Sequence, residues 1–172
     1  MRRPKVIILT GPCGVGKTTI SKLLLEQLDL IYISGDEIAK GKFPAISYIT
    51  EHPEKLQIVK RELYDLSRTY FFDHNKAVLI DYVILGRDYI AEFQQTFKSN
   101  LILKVLLPDR QVIVQRDRDR ACWESGKDMI NNLYDKYIGL KEHIGAENYI
   151  DSGKQTAQET VDFILQQIIE IT

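Results

Sequence analysis

Short runs rich in leucine and β-branched residues recur along the 172-residue chain, at positions 5–10, 30–34, 77–81, 101–107 and 148–151. Each is almost continuously apolar, as expected of strands covered on both faces. Between these runs the apolar residues move to helical spacing. Ile20, Leu23, Leu24 and Leu28 share a face within residues 17–28. Leu56, Val59, Leu63, Leu66 and Tyr70 recur at three- and four-residue steps within 54–73, and Ile130, Leu133, Tyr134 and Tyr137 do so within 128–142. A last helix carries Val161, Ile164, Leu165 and Ile168. It opens with Thr156-Ala-Gln-Glu159, a capping box in which Thr and Glu each satisfy the other's backbone N–H. This alternation predicts an α/β fold: a parallel sheet of five strands with helices on both faces and right-handed crossovers. Ligands of such sheets gather beyond the C-terminal strand ends. Chemistry is therefore expected at 11–18, 34–36, 81–87, 108–120 and 151–154.

The first of these segments reads Gly11-Pro12-Cys13-Gly14-Val15-Gly16-Lys17-Thr18, a full eight-residue phosphate-loop pattern placed after a strand and before a helix. A glycine-rich turn lets successive backbone N–H groups converge on phosphate oxygens, and the helix adds its positive end. Lys17 supplies a charge for the β- and γ-phosphates, and the Thr18 hydroxyl is positioned to ligate Mg²⁺. The nucleotide-binding set is Gly11, Cys13, Gly14, Val15, Gly16, Lys17, Thr18 and Thr19. A tight turn with no ligand needs glycines, but it does not need Lys followed by Thr at the helix start.

Composition narrows the reading. Lys and Arg total 23 and Asp and Glu 24, a net charge of −1, which argues against a general nucleic-acid or membrane-surface binder. The two cysteines, Cys13 and Cys122, make no disulfide framework, and no Cys/His spacing resembles a zinc site. No apolar stretch is long enough for a secretory or spanning segment, so a cytoplasmic address is expected. A guanine switch is disfavoured: no Asp stands three residues before a Gly, and Asn75-Lys76 continues into Ala77-Val78. Asp81 is followed by Tyr82 rather than by the Glu of many ATP hydrolases.

Taken together, the phosphate loop, Ile33-Ser34-Gly35-Asp36, the apolar run 78–81 ending in Asp81 and the arginine segment near 116 resemble the small P-loop kinases of metabolites. That group includes shikimate kinase, gluconate kinase and chloramphenicol phosphotransferase. The resemblance implies strand order 2-3-1-4-5, one domain, a helical lid near residues 116–128, and ATP with Mg²⁺. It implies transfer of the γ-phosphoryl group to a hydroxyl of a small molecule. By the same resemblance Asp36 contacts and deprotonates the acceptor; the competing reading makes it the cap of the next helix. Asp81 either holds Mg²⁺ through water or contacts substrate. Arg116 and Arg120, four residues apart, would offset charge on the transferring group. The bland alternative is a solvated face of local pairs, Arg116 with Asp119 and Asp117 with Arg120. The loop 151–154 would lie beside adenine, and Arg87 could meet an acidic substrate. Cys122 and Trp123 would belong to the lid. A monomer or homodimer acting on a small molecule, without nucleic acid or membrane, is the expected assembly. Two other readings stay open. A nucleoside monophosphate kinase calls for an arginine in the acceptor segment, yet residues 37–60 offer Lys40, Lys42, Lys55 and Lys60 only. The third is a non-catalytic ATP sensor.

Overall fold

The computed structural model describes residues 4–46, 49–119 and 125–170. Strands β1 (Val6–Thr10), β2 (Ile31–Ser34), β3 (Val78–Asp81), β4 (Leu101–Leu106) and β5 (Tyr149–Ile150) form one parallel sheet in the order β2-β3-β1-β4-β5, as expected. Helices α1 (Lys17–Gln27), α2 (Gly35–Lys42), α3 (Pro53–Arg68), α4 (Arg87–Phe97), α5 (Arg110–Arg118), α6 (Lys127–Gly139), α7 (Lys141–Ile144) and α8 (Ala157–Glu170) connect and cover it.

Strand pleating divides the core in two, because successive side chains leave opposite faces. Val6 and Ile8, with Val78, Ile80, Leu103 and Val105, face a layer built from Val59 and Leu63 of α3 and Ile90, Phe93 and Phe97 of α4. Ile7 and Leu9, with Leu79, Ile102 and Leu106, face Ile20 and Leu24 of α1, Ile113 of α5 and Val161 and Ile164 of α8. Every β1 residue is buried, which is why the run carries no polar alternation.

Several elements differ from expectation. The segment 54–73 is α-helical only to Arg68 and then widens into a π turn, Thr69–Asp73, whose Phe71 and Phe72 pack on Phe97. The segment 128–142 breaks at Leu140 between α6 and α7. Helix α4 is additional to those read from the sequence, and α2 is the helix that the capping reading of Asp36 implied. The capping box forms: Thr156 N–H donates to Glu159 Oε2 at 2.7 Å and Glu159 N–H to Thr156 Oγ1 at 3.2 Å. Among the described residues no helix is long and apolar enough to cross a membrane.

Candidate active site

The phosphate loop leaves β1 at Gly11 with φ +143°, and a Cβ there would overlap the carbonyl oxygen of Leu106 on β4. Only glycine lets the loop start so close to the neighbouring strand. A buried network fixes that start. Tyr137 of α6, fully buried, accepts from Gly11 N–H at 3.2 Å, and its hydroxyl lies 2.6 Å from Thr10 Oγ1. Thr10 Oγ1 in turn accepts from Ile84 N–H at 2.9 Å, which ties in the loop after β3. Burial pushes the Tyr137 phenol well above its usual pKa, so it remains a neutral hydrogen-bonding group. Tyr137 was expected as a core residue; it is also the post behind the loop.

Lys17 folds back over the loop, with Nζ donating to the carbonyls of Gly11 at 3.0 Å and Pro12 at 2.9 Å. Gly16 precedes α1 in a left-handed conformation, and Thr18 and Thr19 stand exposed in its first turn. Val15 is buried beneath the loop, and Cys13 is a free thiol of intermediate burial.

Asp81 ends β3 beside this helix start and is only 5% exposed. Its Oδ2 accepts from Thr18 Oγ1 at 3.0 Å and from the Tyr32 hydroxyl, also at 3.0 Å. Burial, then the Asp81 charge, push the Tyr32 phenol far up, so it stays protonated and donating. Thr18 and Asp81, read separately in the sequence, are thus brought together. Their hard oxygen donors suit Mg²⁺. Among the described residues no three His, Cys, Asp or Glu side chains gather at one point. The donor set therefore fits a cation carried mostly by phosphate and water rather than an all-protein cage.

On the next strand, Ser34 caps α2, its Oγ accepting from Glu37 N–H at 3.3 Å. The cap read as the alternative role for Asp36 therefore belongs to Ser34. Asp36 and Glu37 lie exposed in the first turn, where the helix dipole favours negative charge. Between Ser34 and Asp36, Gly35 supports the ring of Tyr82: any Cβ on Gly35 would overlap that ring. Tyr82 is buried, and burial followed by the nearby Asp36 and Cys13 raises its phenol. It thus lies between the phosphate loop and the Asp36 turn.

Arg116, in the last turn of α5, donates to the Ser152 carbonyl at 2.9 Å and the Val15 carbonyl at 3.4 Å. It joins the phosphate loop to the loop after β5, and these two bonds occupy two of the five N–H donors of the guanidinium. Asp119 takes the Gln115 amide instead of Arg116. Asp117, 2% exposed, accepts from Ser125 N–H at 2.8 Å and Gly126 N–H at 3.1 Å, closing the base of the expected lid. Arg120, Cys122 and Trp123 lie outside the described residues. Arg87 is exposed at the start of α4. Tyr32, Tyr82 and Tyr137 were not read as site residues.

A family profile described as an AAA domain matches residues 6–129. A putative adenylate kinase of Thermococcus kodakarensis is 30% identical over 169 residues, 95% of this chain and 85% of that protein. Two solved structures share the fold. The tunicamycin resistance protein of Deinococcus radiodurans superposes with a TM-score of 0.69 at 18% identity, over 96% of each chain. A gluconokinase from Sinorhizobium meliloti 1021 gives 0.66 at 16% identity, over 99% of this chain and 95% of that one. The chain also matches tRNA dimethylallyltransferases, of which it spans 22% and 31% of the length in two cases. Sheet order and phosphate loop agree with the profile, and the chain belongs to the AAA-domain family.

Proposed function

We propose that the chain is an ATP- and Mg²⁺-dependent phosphotransferase that moves the γ-phosphoryl group to a hydroxyl of a small molecule. It would do so as a single cytoplasmic kinase domain with a lid near residues 116–128. The observation that carries this reading is the convergence at three adjacent strand ends. The phosphate loop follows β1, the Asp81–Thr18 pair sits at the end of β3 and Asp36 stands in the turn after β2. Loop amides and Lys17 would hold the phosphates once the lysine leaves the Gly11 and Pro12 carbonyls. Thr18 would ligate the metal and Asp81 would meet it through water. Mg²⁺, when bound, neutralises charge on the β- and γ-oxygens. Asp36 would orient the acceptor hydroxyl and take its proton as the new O–P bond forms and the bond to ADP breaks. Arg116, already bridging the two loops, would frame the nucleotide or turn toward the phosphates. Arg120 would assist from the lid.

A panel of hydroxyl acceptors, including sugar acids and antibiotics, scored by ADP release tests the reading. Asp36→Asn is expected to lower turnover about 10²- to 10⁴-fold with ATP affinity retained. Lys17→Ala is expected to lose ATP binding. Full turnover in Asp36→Asn would remove the base assignment, and ATP binding without turnover on any acceptor would leave a sensor.

A second reading, transfer to a nucleoside monophosphate, is favoured by the Thermococcus relative and by one further observation. The half-buried Lys60 ammonium stands 5.4 Å over the Tyr89 ring with its pKa pushed down by burial, and could hold an acceptor phosphate. AMP, GMP, CMP and UMP in the same panel separate the two.

A further inference from the structure

Both hydroxyls that reach Asp81 meet the same oxygen. Thr18 Oγ1 and the Tyr32 hydroxyl each lie 3.0 Å from Oδ2, and among the described residues no donor meets Oδ1. A buried carboxylate with two free rotational choices would offer either oxygen to a ligand. Here one is committed twice. The two donors differ in kind. Thr18 stands exposed in the first turn of α1, directly after the phosphate loop, whereas Tyr32 comes from β2, and its ring packs against the apolar layer that holds Leu79, Ile20 and Leu24. The phenol is therefore fixed by the core rather than by the loop.

Thr18 can ligate a cation through oxygen and keep its proton on Asp81, so that bond survives metal binding. Thr18 is itself the proposed metal ligand, so the carboxylate needs a second restraint that does not touch the cation. Tyr32 supplies the independent restraint. We infer that Tyr32 is a positioning residue for the metal carboxylate, clamping Asp81 by Oδ2 so that Oδ1 stays available to a hydrated divalent cation. The inference rests on the reading of Thr18 and Asp81 as the metal pair. It adds a coupling that this pair lacks. Strand β2 carries Tyr32, and Asp36 follows four residues later in the first turn of α2, so the strand that leads into the proposed base also sets the metal carboxylate. Outer partners of this type act on affinity by preventing rotation of the ligand, and their loss typically weakens metal binding about 10- to 100-fold.

The test needs no acceptor. ATP affinity is measured by calorimetry with excess EDTA and again with saturating Mn²⁺, and the ratio of the two dissociation constants reports metal coupling. Tyr32→Phe keeps the packed ring and removes only the hydroxyl. Its ratio is expected to fall about tenfold, at the low end because Asp81 acts through water. The EDTA value should stay within twofold of wild type. Asp81→Asn should lose at least as much, and Tyr32→Phe added to Asp81→Asn should change nothing further. An unchanged ratio in Tyr32→Phe, an equal loss in EDTA, full additivity in the double variant, or a wild-type ratio near one would each overturn the inference. Absence of ATP binding in the wild type would overturn the nucleotide reading with it. Tyr32-dependent Mn²⁺ coupling in a chain that phosphorylates nothing would sustain the inference while ending the kinase proposal.

Discussion

Gly35 and Tyr82 show how one bare Cα can decide a site. The residue after β2 must have no side chain because the ring from the residue after β3 occupies that space. Gly35→Ala forces the ring or the turn to move, and overpacking of this kind costs about 1–3 kcal/mol. At about 2–4 °C per kcal/mol for a chain of this size, calorimetry should record a lower Tm. Tyr82→Ala should be destabilising alone, yet the double variant should lose less than the sum, because the clash is gone. Strict additivity would show that the two do not press on each other. Of the residues in the site, those in the phosphate loop were legible because their spacing is itself the mechanism. Asp81 was legible as the polar end of an apolar strand, and Asp36 as an acid two residues past the end of another. The tyrosines were not. Tyr137 reaches Thr10 across 127 residues of sequence, and nothing in its helical period distinguishes a core phenol from one that also holds a loop.

At the scale of elements, the four strands with long apolar runs could be read directly, and so could helices whose buried stripe is continuous. Helix α2 showed in the sequence only through its cap, because it has eight residues, begins directly at the end of β2 and places only Ile38 and Ala39 against the core among its apolar residues. Helix α4 did carry a usable signal, with Ile90, Phe93 and Phe97 at helical steps. The π turn after α3 was hidden because Tyr70 continues the helical stripe while the backbone widens to seat Phe71 and Phe72 against Phe97. The base of the lid offers a test of an element boundary. Asp117→Ala removes the acceptor of two backbone N–H groups, at Ser125 and Gly126, and should cost about 1–3 kcal/mol. Hydrogen exchange at those two amides should accelerate. Asp117→Asn, which keeps one accepting oxygen, should show the smaller change. Equal protection in all three proteins would move the anchor elsewhere.

For the whole molecule, the three layers place the phosphate loop, Asp81 and Asp36 at one rim of the sheet, so nucleotide binding and global stability should be linked. A ligand at 100 times its Kd stabilises the folded state by about 2.7 kcal/mol. Thermal melts with Mg²⁺ and ATP should therefore shift upward by about 5–11 °C, at about 2–4 °C per kcal/mol. Lys17→Ala should abolish the shift, and an equal shift in that variant would place the nucleotide away from the loop. The paired strand ends carry a further consequence. Ser34 lies opposite Asp81, and Leu9 is aligned with Asp81 from the other side. Along these strands nearly every position is apolar and buried, so sliding one strand past another by a residue exchanges one hydrophobic side chain for another at little expense. A pattern without polar alternation does not encode its own alignment. The polar residues at the rim do: a slipped β3 would bury Asp81 away from Thr18 and Tyr32 and leave its carboxylate unsatisfied. The groups proposed to handle phosphate thus also serve as the alignment marks by which the sheet distinguishes its correct assembly from near copies.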